Sequence, residues 1–513
     1  MKKRFMNKFK IVTAILLCLA FILPLCAACN GQKKDEMTPT ANENENSDND
    51  SDSNTATEKD PDAPDLPVID MAGKVFTILT YTGWGGDTTK ADIAGEEQTG
   101  DPIGDAAFDR RLKIEQQYNC QIKVVNDSEH TETLNKYQMA ILAGDTSYDI
   151  AITPSATFAS LLTGNYLVDF KELSYVDIDK PYWNKNLYNS MAILGKNYAA
   201  DGDISRRRLE CVWIMCFNKD MIKDNDLESP YDLVKSGEWT FDKMIEMGRV
   251  VARDLDGDGK MTEADLYGLN YTGDTIMGLI NGSGVKIAEI DENGIPQLTI
   301  GTEANLEKLM KIYTETRDDS WSIDTLFRFW LGDIDIFSEN RALFLACAGH
   351  NVAAAGEGTS NTRGLRTIDV DFGIIPYPKW DRAQSDYMPH TAGSYHPIMS
   401  IPITNEDLDN TGIFLEAMSY EGRKALIPAF YESLLKTKTA RDDESAEMID
   451  YIFGNLSYDI GNMYNFGEIV GTFGYGMSAN DNKRVNIVST IEKNMGKWQA
   501  AIDNIVAEIE KND

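Results

Sequence analysis

Histidine is scarce in this 513-residue chain: His130, His350, His390 and His396 are the only four, and none sits at an HExxH-type spacing that would put two imidazoles on one metal ion. The sequence also lacks a Gly-x-Ser-x-Gly turn, a phosphate loop ending in Gly-Lys-Thr and a glycine-rich dinucleotide fingerprint. A serine nucleophile elbow, nucleotide hydrolysis and nicotinamide chemistry therefore have no support. Cysteine is thin as well. Beyond the N-terminal apolar run only Cys29, Cys120, Cys211, Cys216 and Cys347 remain, with no CxxC pair. Cys211 and Cys216 share one strand-like run at an odd spacing, which puts them on opposite faces, so no disulfide framework is expected. Basic charge is the largest deficit, with 49 Lys and Arg against 82 Asp and Glu and a net charge of −33. A chain this acidic repels phosphate backbones and anionic headgroups, which excludes nucleic acid and a peripheral membrane surface. Acids are also too plentiful for any one pair to mark a glycosidase.

Long apolar runs are missing too, with one exception. Ile11 to Ala28 is apolar and follows Lys2, Lys3, Arg4, Lys8 and Lys10, the layout of a secretory signal. Ala27 and Ala28 stand directly before Cys29. This resembles the bacterial lipoprotein signal, in which the thiol after two small residues becomes a diacylated N-terminus, although Cys26 stands where such signals usually carry Leu. Residues 1–28 are thus expected to be a lipoprotein signal peptide and Cys29 the lipidated residue. Without the leader, 44 basic residues face 82 acidic ones, a net charge of −38. Residues 29–70 are mostly Asp, Glu, Asn, Ser and Thr, too poor in apolar surface to offset the entropy of ordering, and read as a disordered acidic tether.

The remainder is too long for one ordinary core and has globular composition, 42% hydrophobic and 10% aromatic. Strand and helix patterns alternate: strands at Val75–Tyr81, Gln121–Val125 and Tyr148–Thr153, helices at Ile103–Tyr118 and Thr131–Ala143. That alternation predicts an α/β fold with a parallel sheet, whose ligands sit outside the carboxyl ends of the strands. The loops there are Thr82–Asp87 and Pro154–Phe158. A further strand is expected at Cys211–Phe217, helices at Thr240–Arg253 and Ala304–Thr316, strands at Val370–Ile375 and His396–Ile403, and a largely helical C-terminal third.

Four stretches taken in order resemble a known family. They are Tyr148–Asp149–Ile150 followed by Gly164–Asn165–Tyr166–Leu167–Val168–Asp169; Phe217–Asn218–Lys219–Asp220 with Pro230–Tyr231–Asp232 and Trp239–Thr240–Phe241–Asp242; Phe372–Gly373–Ile374–Ile375–Pro376–Tyr377–Pro378; and Ile398–Met399–Ser400–Ile401–Pro402. Together they are similar to the extracellular solute-binding proteins of ABC importers, the sugar-binding group that includes maltose-binding protein. The resemblance implies a two-lobed periplasmic-binding-protein-like fold with crossing hinge strands and a ligand cleft between the lobes. By it, lobe I comprises 71–212 and 400–450, lobe II comprises 213–399, and 451–513 forms C-terminal helices packing across both. Cys211–Phe217 would be the first crossing strand and Tyr395–Pro402 the return.

A sugar site needs aromatic faces and planar hydroxyl-seeking groups. Trp84, between glycines after the first strand, is a stacking platform or a ring folded back over its lobe; Asp87 accepts ligand hydroxyls or solvates its loop. Thr153 and Ser155 follow the third strand where the family's contacts fall, with helix capping the alternative for Ser155. Trp213 faces the cleft or packs in the core. His350 stands where the maltose-binding relatives carry a stacking Trp, and Tyr395 and His396 adjoin the return strand; Tyr464 and Phe466 are further, weaker aromatics. A separate stretch, Asp254-Leu-Asp256-Gly-Asp258-Gly259-Lys260-Met-Thr262-Glu-Ala-Asp265, matches an EF-hand-type calcium loop, with Asp at position twelve as in dockerin-type loops; its ligands would be Asp254, Asp256, Asp258, Lys260 through its carbonyl, and Asp265. The other reading is an acidic surface loop leading into a helix.

These features point to a non-enzymatic binding protein, lipid-anchored outside the cell membrane. It would be a monomer that requires no cofactor, calcium in a structural role aside. It would capture a sugar and pass it to ABC permease subunits. The rivals are a surface sensor or interaction protein of the same fold that passes its ligand to a receptor, and an enzyme acting on glycosides.

Overall fold

The computed structural model describes residues 60–83, 85–325, 335–353, 365, 368–393, 395–435, 443–474 and 486–511. Nine strands build two sheets: β1 (Lys74–Leu79), β2 (Cys120–Val125), β3 (Ile150–Pro154), β4 (Trp213–Asn218), β5 (Tyr267–Tyr271), β6 (Ser322–Asp324), β7 (Ala342–Ala348), β8 (Phe372–Ile375) and β9 (Pro397–Ser400). The first sheet runs β9-β3-β1-β2. β1 pairs in parallel with β2 and β3, as the alternating pattern predicts, while β9 closes antiparallel on β3 with Ile398 opposite Thr153. Parallel neighbours need long crossovers. The first is the helix Pro102–Tyr118, started by Asp101 accepting from Gly104 N at 2.8 Å and ended by Asn119 in the left-handed region. The helix His130–Leu142 makes the second.

The second sheet runs β8-β4-β7-β5-β6 and is mixed. β4 lies antiparallel between β7 and β8 with every residue buried, so it reads as a continuous apolar run rather than an alternating one. One large apolar cluster extends from the first sheet through the joint into the second and takes in the C-terminal helices, while two others belong to single sheets. The helix Ile460–Tyr464 sits at that joint: Tyr464 stacks on Phe158 of the first lobe at 5.4 Å and donates from its hydroxyl to Met191 O at 2.6 Å.

Three boundaries differ from the sequence reading. A helix, Gly86–Ala94, starts inside the expected loop Thr82–Asp87. The return strand is in the first sheet from Pro397, ahead of the expected lobe boundary at 400. Residues 60–70, assigned to the tether by composition, lie on the first lobe: Lys180 Nζ donates to Pro61 O and Ala63 O at 3.3 and 3.2 Å, and Tyr420 donates to Asp60 Oδ2 at 2.7 Å. Leu66, Ile69 and Met71 supply the apolar surface that the preceding polar stretch lacks. Cys29 and the rest of the expected signal and tether lie outside the described residues.

Candidate functional site between the lobes

Two chain segments cross between the lobes side by side. Ala392 N donates to Cys211 O and Trp213 N to His390 O, both at 2.8 Å, and Val212 bridges Thr391. A third segment joins them where Ser457 N donates to Pro389 O at 2.9 Å. Of the two crossing segments, the first leads directly into β4 of the second sheet, and the other runs on to β9 of the first.

At the base of this joint lies a small cavity lined by Trp213, Asp274, Met277, Gly393, Tyr395 and Asn462 among others. Its walls come from β4, from the 274–277 segment of lobe II, from the hinge and from the C-terminal helices. It holds about 30 Å³, room for two or three waters at about 10–15 Å³ each. That is too little for a sugar ring. Tyr395 donates from its hydroxyl to Asp274 Oδ2 at 3.2 Å. Among the described residues, Trp213 Nε1 and Asn462 Oδ1 are buried and have no hydrogen-bond partner.

The expected site residues divide. Trp213 and Tyr395 line the cavity. Thr153 and Ser155 are fully buried at the carboxyl end of β3, each with a hydroxyl that has no partner among the described residues. Ser155 therefore does not cap a helix through its side chain. Asp87 is exposed and accepts from Gly83 N at 3.0 Å, closing its own loop. His396 is fully buried, its ring held between Thr391 Oγ1 and Asp201 Oδ2, each at 3.0 Å, so both nitrogens are occupied and its role is to brace the hinge. His350, at the start of the helix Gly349–Ala353, is solvent-accessible, yet its imidazole is pushed down to about 4, first by desolvation and next by the Arg207 charge. Trp84 lies outside the described residues. Tyr464 and Phe466 are core residues, whereas Asn462, two positions from Tyr464, lines the cavity. The sequence reading passed over Asn462 and Asp274 because a lone amide or carboxylate in a polar loop has no periodicity to mark it.

In the segment before the hinge the charges are paired. Asp92, fully buried, accepts from Ser205 Oγ and Arg206 N at 2.8 Å and from Arg206 Nη1 at 2.5 Å. Glu210 accepts from Arg206 Nε at 3.1 Å and from Arg207 Nη1 at 3.3 Å. This block, directly before the hinge, holds its cations in ion pairs.

The acidic loop lies elsewhere on lobe II. Asp254, Asp256 and Asp258 bring carboxylate oxygens within 4.8 Å of one another, and Gly257 and Gly259 adopt the positive φ values of 73° and 82° that the sharp turn requires. Asp265 is buried, and both its oxygens are engaged, Oδ1 by Leu255 N at 2.8 Å and Oδ2 by Thr262 N at 2.7 Å and Thr262 Oγ1 at 3.1 Å. Lys260 is exposed. A strand, β5, follows the loop instead of the helix the alternative reading expected.

Residues 99–312 match the family of bacterial extracellular solute-binding proteins. Among solved structures, M. tuberculosis UspC is similar at a TM-score of 0.53 and 10% identity, covering 84% of this chain and 100% of that one. A Listeria monocytogenes ABC substrate-binding protein in complex with cycloalternan gives 0.50 and 14%, covering 85% and 99%. A Thermotoga lettingae ABC transporter solute-binding protein bound with α-D-tagatose gives 0.50 and 11%, covering 84% and 100%. At these identities the likeness is one of fold, the two-lobed α/β fold of solute-binding proteins. No curated protein sequence matches the chain. No helix among the described residues is long and apolar enough to cross a membrane.

Proposed function

We propose that this chain, whose residues 99–312 match the bacterial extracellular solute-binding family, captures a carbohydrate outside the cell and delivers it to the permease subunits of an ABC importer. The observation that carries this reading is the cavity at the crossing segments, where an indole, a phenol, a carboxylate and an amide line one space. Sugar-bound proteins of the same fold support the carbohydrate assignment. Ligand contacts from both lobes shift an open–closed equilibrium toward the closed form, and the protein performs no chemistry of its own. It acts as a monomer, held at the outer face of the membrane by a diacylated Cys29, which raises its effective concentration at the importer. Replacing Cys29 by Ser should release the protein into the medium; retention at the membrane would remove the anchor from this account.

In the same proposal Asp254, Asp256, Asp258 and the Lys260 carbonyl bind structural calcium. The three clustered carboxylates fit a hard cation. Asp265 contributes only if it releases Thr262.

The reading is tested by thermal unfolding of the soluble body with a panel of neutral mono- and oligosaccharides. A true ligand at a hundred times its Kd adds about 2.7 kcal/mol and raises Tm by several degrees. No shift with any neutral sugar would count against the carbohydrate assignment. Transport and sensing share this binding step, and loss of sugar uptake in a deletion strain favours transport.

A further inference from the structure

Two buried polar atoms in the cavity wall have opposite hydrogen-bonding sense. Trp213 Nε1 can only donate and Asn462 Oδ1 can only accept; both residues line the same space, and neither atom has a partner among the described residues. An orphaned buried group costs about 1–3 kcal/mol. Two of them, complementary and carried by residues that line one cavity, suit a group that both accepts and donates. The orientation of Asn462 is fixed. Its Nδ2 lies 2.6 Å from His390 Nε2, and His390 is buried with its pKa pushed down to about 3, chiefly by desolvation. The ring also bonds the Ser457 backbone in a contact that favours a proton on the imidazole. A neutral ring whose one proton points to Ser457 has only an acceptor left at Nε2, so Asn462 must present its NH2 to His390 and its Oδ1 elsewhere. Gly393 keeps that oxygen clear, because a Cβ there would collide with Oδ1 and come within 2.7 Å of the Asn462 carbonyl oxygen.

We propose that Trp213 and Asn462 are the specificity-determining pair of the cleft, together seating one neutral hydroxyl of the ligand, with His390 as the positioning residue that aims the amide. The hydroxyl accepts from the indole N–H and donates to the amide oxygen, satisfying both orphans at once. A carboxylate would meet Oδ1 and the Asp274 carboxylate with repulsion. An ammonium could donate to Oδ1 but has no lone pair for the indole N–H, which would stay unsatisfied. Among the described lining residues there is no Lys or Arg to receive an anion.

The inference rests on the proposed capture of carbohydrate, and its test separates the two. The soluble body is titrated calorimetrically with maltotriose, D-tagatose, ribitol, D-gluconate and D-glucosamine. Binding of at least one neutral probe is expected, weakened about tenfold by Asn462→Ala and by Trp213→Phe, and weakened by His390→Leu but kept within about threefold by His390→Gln, whose amide oxygen can accept from Asn462 in place of the imidazole nitrogen. A merely structural role for His390 would not be rescued by the isosteric acceptor. Should Asn462→Ala not fold, Asn462→Leu, of similar shape but without an acceptor, replaces it with the same expected loss. Unchanged affinity in the Asn462 or Trp213 variants overturns the pairing and leaves the capture function standing. Binding of the charged probes alone does the same. Binding of none of the five overturns both.

Discussion

Asp459 shows how a single buried carboxylate fastens the helix Ile460–Tyr464 to lobe II. It accepts from Ile287 N at 2.5 Å on the lobe II side and from Gly461 N at 2.8 Å in the bridging helix. Burial nevertheless dominates, and its pKa is raised from 3.8 to about 6. The native state therefore holds this proton more tightly than the unfolded chain. Its stabilising contribution is full below about pH 4 and is lost as pH rises through about 6, a change of about 3 kcal/mol for this group. Denaturant unfolding between pH 4 and 7 should show that slope in the wild type relative to Asp459→Asn; parallel pH profiles would contradict it. At this scale the sequence was only partly legible. Trp213 and Tyr395, singled out because indoles and phenols in hinge segments are conspicuous, both line the cavity. His396 was read as a ligand contact and instead braces the hinge, since sequence does not reveal that Thr391 and Asp201 would occupy both ring nitrogens. Asn462 was overshadowed by the aromatic residues beside it, which proved to be core.

Elements were the most legible level. The helix Pro102–Tyr118 and the strands β1 to β3 lie within two residues of their expected bounds, because hydrophobic period and caps agree there. The strands β5 and β7 were not read, for they are short or fully buried runs without alternation, which periodicity alone cannot tell from buried helix. The loop from Asp254 to Asp265 is legible as spacing, and the structure gathers three of its carboxylates while engaging the fourth. Calcium at millimolar concentration should raise Tm and a chelator lower it, with the difference abolished by Asp256→Ala combined with Asp258→Ala. Identical unfolding curves with calcium and with chelator would remove the metal from this account.

Across the whole molecule, the two paired crossing segments also line the cavity, so in the proposed function closure and recognition share residues. His390 is an example: its carbonyl accepts from Trp213 N in the hinge and its ring orients Asn462 in the wall. The two-lobed arrangement was legible from the order of four local stretches, though none specifies a hinge alone. The fastening of residues 60–70 to the first lobe was not, because a few apolar side chains at the end of a polar stretch do not alter its composition. The claim on which everything else depends is that the gap between the halves holds a carbohydrate. It is tested most directly by native mass spectrometry of the protein purified from its own source without refolding. The account predicts a released, non-covalent adduct whose mass and fragmentation are those of an uncharged mono- or oligosaccharide; an adduct of peptide or charged-metabolite composition would contradict it.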